Sequence, residues 1–312
     1  MKKKHKKRAD KKGVIVAHYG VAVDVLFAED NECKMIRVKR NSGHVVGDNV
    51  IVRGEVLTRL ERSSELSRMD ARGGKHIVGA NLDILCIVVS CEPLPPPGFV
   101  DRAIVSARAS ALRPVLIINK SDLPCFAAYR AAIKPVYQDS VTVFTLSAED
   151  GTGLDPLITF FREGHRGVFV GPTGVGKSSI LNSLLPEINL TTGEISETKK
   201  RGRNTTTVST LHLLKEGGEL IDSPGFNDFG LVDISIHQLS SYFPGFEKAG
   251  IDSCRFRDCK HREEPQCRVR ELVGLNEIDP QRYAMYLQML TEVEALDSAP
   301  DYRERRHRRK KG

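Results

Sequence analysis

The chain has 312 residues, 40% hydrophobic and 28% charged, with a formal net charge of +7. That length exceeds one ordinary domain and calls for two or three, and the hydrophobic share is enough for real cores. No apolar run approaches the roughly 20 residues that span a bilayer. The segment behind the basic N-terminus carries His18 and Asp24 and lacks a signal-peptide pattern. These features argue against membrane and secreted classes, and the expectation is a cytoplasmic monomer.

The charge sits at the ends. Residues 1–12 carry +7 and residues 303–312 carry +6, which leaves the body at −6. Two basic tails, 1–12 and 298–312, are expected to be disordered and to attract a polyanion, above all nucleic acid.

Residues 13–57 read as a small β-barrel. Val21, Val23, Val25 and Phe27 alternate with Ala22, Asp24 and Leu26. Turns follow at Asn41-Ser42-Gly43 and Gly47-Asp48, then Val50 and Val52. Residues 58–80 are charged, contain Gly73-Gly74 and read as a linker. Residues 81–230 alternate apolar strands with helices, the pattern of a mostly parallel α/β sheet. The strands are expected at 82–90, 115–118, 141–146 and 168–170, with a strand pair at 211–214 and 219–221. Residues 231–297 form a third unit, ending in a helix that Asp279 caps with Pro280 at its first position. On that helix Tyr283, Tyr286, Leu287, Leu290 and Val293 read as an amphipathic packing face.

The chemistry concentrates in the α/β region. Gly171-Pro172-Thr173-Gly174-Val175-Gly176-Lys177-Ser178 is G-x₄-G-K-S between a strand and a helix that includes Ser179. Its amides and the helix dipole suit phosphate. Lys177 is expected to reach the β- and γ-phosphates and Ser178 to ligate Mg²⁺. Asp222-Ser223-Pro224-Gly225 is D-x-x-G at a strand end, 44 residues after Ser178. Its carboxylate can hold Mg²⁺ through water, and the Gly225 amide can meet the γ-phosphate. Asn119-Lys120-Ser121-Asp122 follows another strand, where the Asp122 carboxylate can accept the two donors on one edge of guanine. Ser147-Ala148 can add an amide for the guanine O6.

The order of these elements is permuted: guanine motifs first, phosphate loop next, D-x-x-G last. The D-x-x-G segment therefore runs straight into residues 231–297. Between phosphate loop and D-x-x-G, Thr206 is the favoured switch ligand of Mg²⁺, with Thr205 and Thr207 as alternatives. The basic run 199–203 before it could meet nucleic-acid phosphates or be a solvated loop. Phe226 stands where Ras-like enzymes place a water-orienting glutamine, so intrinsic hydrolysis should be slow.

The seven cysteines divide into two groups. Cys33, Cys86, Cys91 and Cys125 read as buried, reduced thiols. Cys254, Cys259, His261 and Cys267 fall within 14 residues and make a closed Cys₃His zinc set, structural rather than catalytic.

With the permuted motifs NKSD, GPTGVGKS, GRNTTT and DSPGF and the C-x₄-C-x-H-x₅-C cluster, the chain resembles the ribosome small-subunit-dependent GTPase A family (RsgA/YjeQ) over roughly residues 13–297. The resemblance implies an N-terminal OB-fold, a circularly permuted P-loop GTPase domain and a C-terminal zinc-binding helical domain. It also implies GTP hydrolysis stimulated by the small ribosomal subunit during its late maturation, near the decoding region of its rRNA. Asn204 departs from the histidine common in the family; an amide can bind water but cannot be a general base at neutral pH. Two other readings stay open: an RNA-binding nucleotide switch with negligible turnover, and a GTPase acting on another RNA.

Overall fold

The computed structural model describes residues 10–69, 74–186, 209–222, 231, 233–250 and 254–298. The expectations for most of both tails, the basic run 199–203, Asn204, Thr205, Thr206, Thr207, Gly225 and Phe226 lie outside these residues.

The first unit is antiparallel. It contains β1 (Lys11–His18), β2 (Ala22–Phe27), β3 (Cys33–Arg37), β4 (Asn49–Arg53) and β5 (Val56–Arg59). β1 pairs with both β2 and β4, β3 adds to β2, and β5 adds to β4. The alternation in β2 works as expected: Val23, Val25 and Phe27 turn inward onto Ile15, Ile36, Val50 and Val52. Two features differ from the sequence reading. β1 already begins at Lys11, so Lys11 and Lys12, expected in the tail, pair with Val52 and Ile51 of β4. The stretch 58–80, expected to be a linker, carries a hairpin of β6 (Glu65–Met69) and β7 (Lys75–Ala80). Its charge reflects one exposed hairpin face and the Arg62 ion pair with the fully buried Asp48.

The central unit follows as β8 (Ile84–Ser90), α1 (Phe99–Ala109), β9 (Arg113–Asn119), α2 (Phe126–Tyr137), β10 (Thr142–Thr145), α3 (Leu154–Arg162), β11 (Arg166–Val170), α4 (Lys177–Leu184), β12 (Thr210–Leu213) and β13 (Glu219–Asp222). Its strands lie in the order β10-β9-β8-β11-β13-β12, and β12 continues into β1. The first five are parallel and β12 is antiparallel to β13. β8 is buried along its whole length, the state that a continuous apolar run without alternation describes. Apolar cores lie on both faces of this sheet. Ile87, Val89 and Leu116 meet Ile104 on one; Cys86, Val88 and Ile117 meet Phe161 and Ile180 on the other. The first unit is fastened to this sheet through Gly47, whose carbonyl accepts Arg166 Nη1 at 2.9 Å and Asn81 Nδ2 at 2.8 Å.

The third unit holds α5 (Ile236–Tyr242), α6 (Arg268–Gly274) and α7 (Pro280–Ser298). The expected cap is present: Asp279 Oδ1 accepts the Gln281 amide at 2.7 Å. Arg282 docks this unit onto the central one. It meets the buried Asp101 of α1 at 3.1 Å and the carbonyls of Val136 and Pro244 at 3.2 and 2.5 Å. Arg102 and Glu292 add a bidentate pair at 2.9 and 2.8 Å. Among the described residues no helix is long and apolar enough to cross a membrane.

The scattered cysteines need correction. Of these four only Cys86 is a buried free thiol; Cys33 is exposed, and Cys91 and Cys125 form a disulfide. β8 and β9 are parallel neighbours with Ser90 opposite Asn119, so the loops that leave them lie side by side. That juxtaposition brings the Cα atoms of Cys91 and Cys125 to 5.9 Å.

Candidate functional site

All five parallel strands point their carboxyl ends at one edge of the sheet, where open α/β sheets bind ligands. The loops there are 146–148 after β10, 119–122 after β9, 91–97 after β8 and 171–176 after β11, with Asp222 closing β13. Motifs spread over a hundred residues of sequence thus meet on one rim. β11, which carries the phosphate loop, stands between β8 and β13.

The phosphate loop requires its glycines. Gly174 and Gly176 have φ of 85° and 96°, a region that L side chains rarely adopt. A Cβ on Gly171 would lie 2.4 Å from the Val88 carbonyl oxygen, and one on Gly176 would lie 2.2 Å from Asn119 Nδ2. α4 starts at Lys177, so its first-turn amides open onto the loop. Thr173, Gly174 and Ser178 are exposed on the open side. This cradle fits a nucleotide phosphate chain, and the exposed Ser178 hydroxyl fits a hard cation such as Mg²⁺. Lys177 folds back: its Nζ donates to the carbonyls of Gly171 at 2.5 Å and Pro172 at 2.9 Å. Burial lowers its pKa to about 8, while the Asp222 carboxylate pulls the other way. Burial likewise raises Asp222 above the ordinary carboxylate value, opposed by His212 and Lys177. An anionic phosphate would favour the charged form of Lys177, and a cation would favour the charged form of Asp222.

The base loops are tied together by side chains. Asn119 is buried; its Nδ2 donates to the Val175 carbonyl at 2.9 Å, and its Oδ1 accepts the Ala148 amide at 3.1 Å. One side chain therefore joins the phosphate loop to the 147–148 loop. Ser147 is fully buried and donates from Oγ to Asp122 Oδ1 at 2.5 Å. Its Oγ also accepts the Glu149 amide at 3.2 Å. Asp122 itself is exposed at the rim. Lys120 has a φ of 65° and donates from Nζ to the Glu92 carbonyl at 2.7 Å. The structure thus brings together Asn119, Lys120, Asp122, Ser147, Ala148, the 171–176 loop, Lys177, Ser178, Ser179 and Asp222. The sequence motifs did not show that Asn119 bridges two loops, because such a bridge is a tertiary contact.

The second centre gathers Cys254, Cys259, His261 and Cys267, whose ligand atoms all lie within 4.8 Å of one another. His261 Nδ1 is 3.5 Å from Cys254 Sγ and 3.4 Å from Cys267 Sγ, and those two sulfurs are 3.9 Å apart. A tetrahedral zinc with Zn–S of about 2.3 Å and Zn–N of about 2.0 Å would set such separations near 3.8 Å for S···S and 3.5 Å for S···N. The donor set and spacing therefore fit zinc. Burial lowers the His261 pKa, which favours the neutral ring a ligand needs.

The centre also has supports that sequence reading missed. Tyr283 and Tyr286, expected only to pack, donate to the carbonyls of His261 at 2.6 Å and Lys260 at 2.9 Å. Glu264 accepts the amides of Lys260, Arg262 and Glu263 at 2.9, 2.8 and 3.1 Å. Partial burial disfavours its charge, but these amides outweigh that and hold its carboxyl at about 2. The only sequence signal was an acidic residue between two ligands.

The comparisons agree with this geometry. The sequence profile of the RsgA GTPase family matches residues 59–232. A small ribosomal subunit biogenesis GTPase RsgA from Chromohalobacter salexigens is 39% identical over 294 residues, spanning 88% of this chain and 84% of that protein. Its counterpart from Azotobacter vinelandii is 37% identical over 298 residues, spanning 91% and 86%. The crystal structure of YjeQ from Thermotoga maritima superposes with a TM-score of 0.74 at 28% identity, over 91% of this chain and 99% of that one. The crystal structure of YloQ, a circularly permuted GTPase, gives a TM-score of 0.69 at 26% identity, over 96% of this chain and 99% of that one. The profile spans more than half of the chain and these relatives nearly all of it, so the chain belongs to the RsgA GTPase family and is a GTP-hydrolysing enzyme.

Proposed function

We propose that this chain binds the small ribosomal subunit and hydrolyses GTP there to assist or check late maturation of the subunit. The observation that carries the reading is the Asn119 bridge, which joins a guanine-type loop and a phosphate loop into one pocket. The names of the relatives supply the subunit. On this reading Asp122 selects guanine, Ala148 shares its amide between Asn119 Oδ1 and the base, and Asn119 and Ser147 position the two loops. The 171–176 amides and Lys177 hold the phosphates. Ser178, Thr206 and Asp222 would hold Mg²⁺, which would supply charge neutralisation for the transferred phosphoryl group. Gly225 senses the γ-phosphate, and Phe226 leaves the positioning of attacking water to the subunit.

The same reading divides the chain into an OB-fold at 13–57, the permuted GTPase domain at 81–230 and a zinc-binding domain at 231–297. The strand neighbours of β1 to β5 suit a five-stranded Greek-key barrel. Basic tails attract rRNA over long range, and the protein acts as a cytoplasmic monomer. GTP turnover with and without separated ribosomal subunits, together with co-sedimentation in a non-hydrolysable analogue, tests the proposal. The expected result is selective binding to the small subunit and a large stimulation by it. Equal stimulation by the large subunit, or none, would overturn it.

A further inference from the structure

The loop that follows β8 belongs to no nucleotide-binding motif, yet it touches both ends of the nucleotide site. At the base end, Lys120 Nζ donates to the Glu92 carbonyl at 2.7 Å. At the phosphate end, Pro93 packs on Gly174, where an added Cβ would lie 3.4 Å from the proline Cδ. The Ser90 hydroxyl donates to the Pro93 carbonyl at 3.2 Å and steadies the turn. One covalent link joins this loop to the base loop: the Cys91–Cys125 disulfide, three residues beyond Asp122.

We propose that Cys91 and Cys125 are a thiol–disulfide modification site that controls how fast guanine nucleotide leaves. The proposal rests on the base-pocket reading given above. Disulfides are rare in reducing compartments, and those that form there are mostly transient or sensing. Two properties suit this pair to exchange. Cys125 is exposed, so a small thiol or disulfide can reach it. It also sits at the N-terminal end of the 12-residue helix α2, where the helix dipole favours the thiolate that exchange requires.

The chemistry uses glutathione-type low-molecular-weight disulfides and thiols. The Cys125 thiolate attacks one sulfur of the oxidised small disulfide, which expels one small thiolate and leaves a mixed disulfide on Cys125. The Cys91 thiolate then attacks the Cys125 sulfur and expels the second. The protons of both cysteine thiols end on the two small thiols, which are reduced by two electrons as the cysteine pair is oxidised. Reduction runs the same steps backward.

In the disulfide state, residues 91–93 are pinned beside Lys120 and Gly174. Departure of the nucleotide then requires motion of a cross-linked rim. In the dithiol state the two loops separate more readily. Such preorganisation acts mainly on the dissociation rate.

The test uses the full chain, loaded with fluorescently labelled GDP and poised in reduced or oxidised glutathione. Peptide mapping without reductant should find Cys91 linked to Cys125 in the oxidised sample only, with zinc content equal in both. GDP release should be about tenfold slower in the oxidised sample. Cys125→Ser, and independently Cys91→Ala, should release GDP at the reduced rate in either buffer. Equal release rates in the two wild-type states, absence of the linked peptide, or a glutathione effect that survives in Cys125→Ser would overturn the proposal. Asp122→Asn separates the two layers of the argument. If it releases GDP much faster than wild type while the redox states match, the switch alone fails. If it releases GDP at the wild-type rate, the base pocket fails and the switch falls with it.

Discussion

The two ends of the nucleotide site are prepared differently. At the base end neutral side chains tie the loops together: Asn119 Oδ1 accepts the Ala148 amide, and the Ser147 hydroxyl donates to the Asp122 carboxylate. At the phosphate end Lys177 spends its hydrogen bonds on the carbonyls of its own loop. On the proposed reading the Asp122 carboxylate keeps acceptor capacity for a base beside its Ser147 hydrogen bond, whereas phosphates would draw Lys177 off those carbonyls. The contrast follows from charge. A base edge is neutral, whereas a phosphate chain is anionic and calls on the half-buried ammonium that here bonds its own loop.

Four variants probe that contrast, from the largest expected effect to the smallest. Lys177→Ala removes the cation at the unready end. Hydrolysis should fall by about 10²–10³ or more in single-turnover assays, while affinity for guanosine without phosphates stays unchanged. Normal turnover would take the 171–176 loop out of the active site. Asn119→Ala cuts the bridge and leaves the Val175 carbonyl and the Ala148 amide without their partner. Each orphaned group costs about 1–3 kcal/mol, so GTP binding in titration calorimetry should weaken about a hundredfold. A loss confined to one end would show that the ends are not coupled through this side chain.

Ser147→Ala removes only the support behind Asp122. GTP affinity should drop about tenfold, and the preference for GTP over ATP should shrink in competition binding; an unchanged preference would mean that Asp122 needs no such support. Zinc removal is the control. Elemental analysis should find about one zinc per chain, and Cys259→Ala should release it. Hydrogen exchange should then rise across 254–298, while GDP affinity changes by less than about twofold. A zinc-free wild-type chain with full protection there would refute the metal centre.

Arg282 extends the comparison to the docking of the third unit. Arg282→Met leaves the buried Asp101 without its cation. Breaking a buried pair in this way costs about 3–5 kcal/mol, so thermal unfolding should move down and detach 233–298 first. Concerted unfolding at the wild-type midpoint would show that this pair does not hold the units together.

How much of this was legible in sequence depended on the range of the interaction. β8 was legible because an uninterrupted apolar run already describes a strand buried on both faces. The Cys254, Cys259, His261 and Cys267 cluster was legible because its members lie close in sequence and their elements are local. The phosphate loop was legible because its glycines answer a backbone demand within a few residues. The Cys91–Cys125 bond was not, because it depends on β8 and β9 being parallel neighbours in register. The same holds for Arg282, which reads as one more surface arginine on α7 until α1 places Asp101 beneath it. The hairpin within 58–80 was hidden by charge, since a two-stranded ribbon with one exposed charged face and a linker have similar compositions.

The most direct test of the account is the base preference of Asp122→Asn. A carboxylate at the rim accepts the two donors of guanine, and an amide in its place offers a donor that suits the extra carbonyl of xanthine. Competition binding on the full chain should show GTP affinity lowered by about a hundredfold and affinity for xanthosine triphosphate gained, with Lys177 and the phosphate loop unaltered. Retention of wild-type GTP affinity with no gain for xanthosine triphosphate would contradict the assignment of residues 119–122 and 147–148 as the guanine pocket.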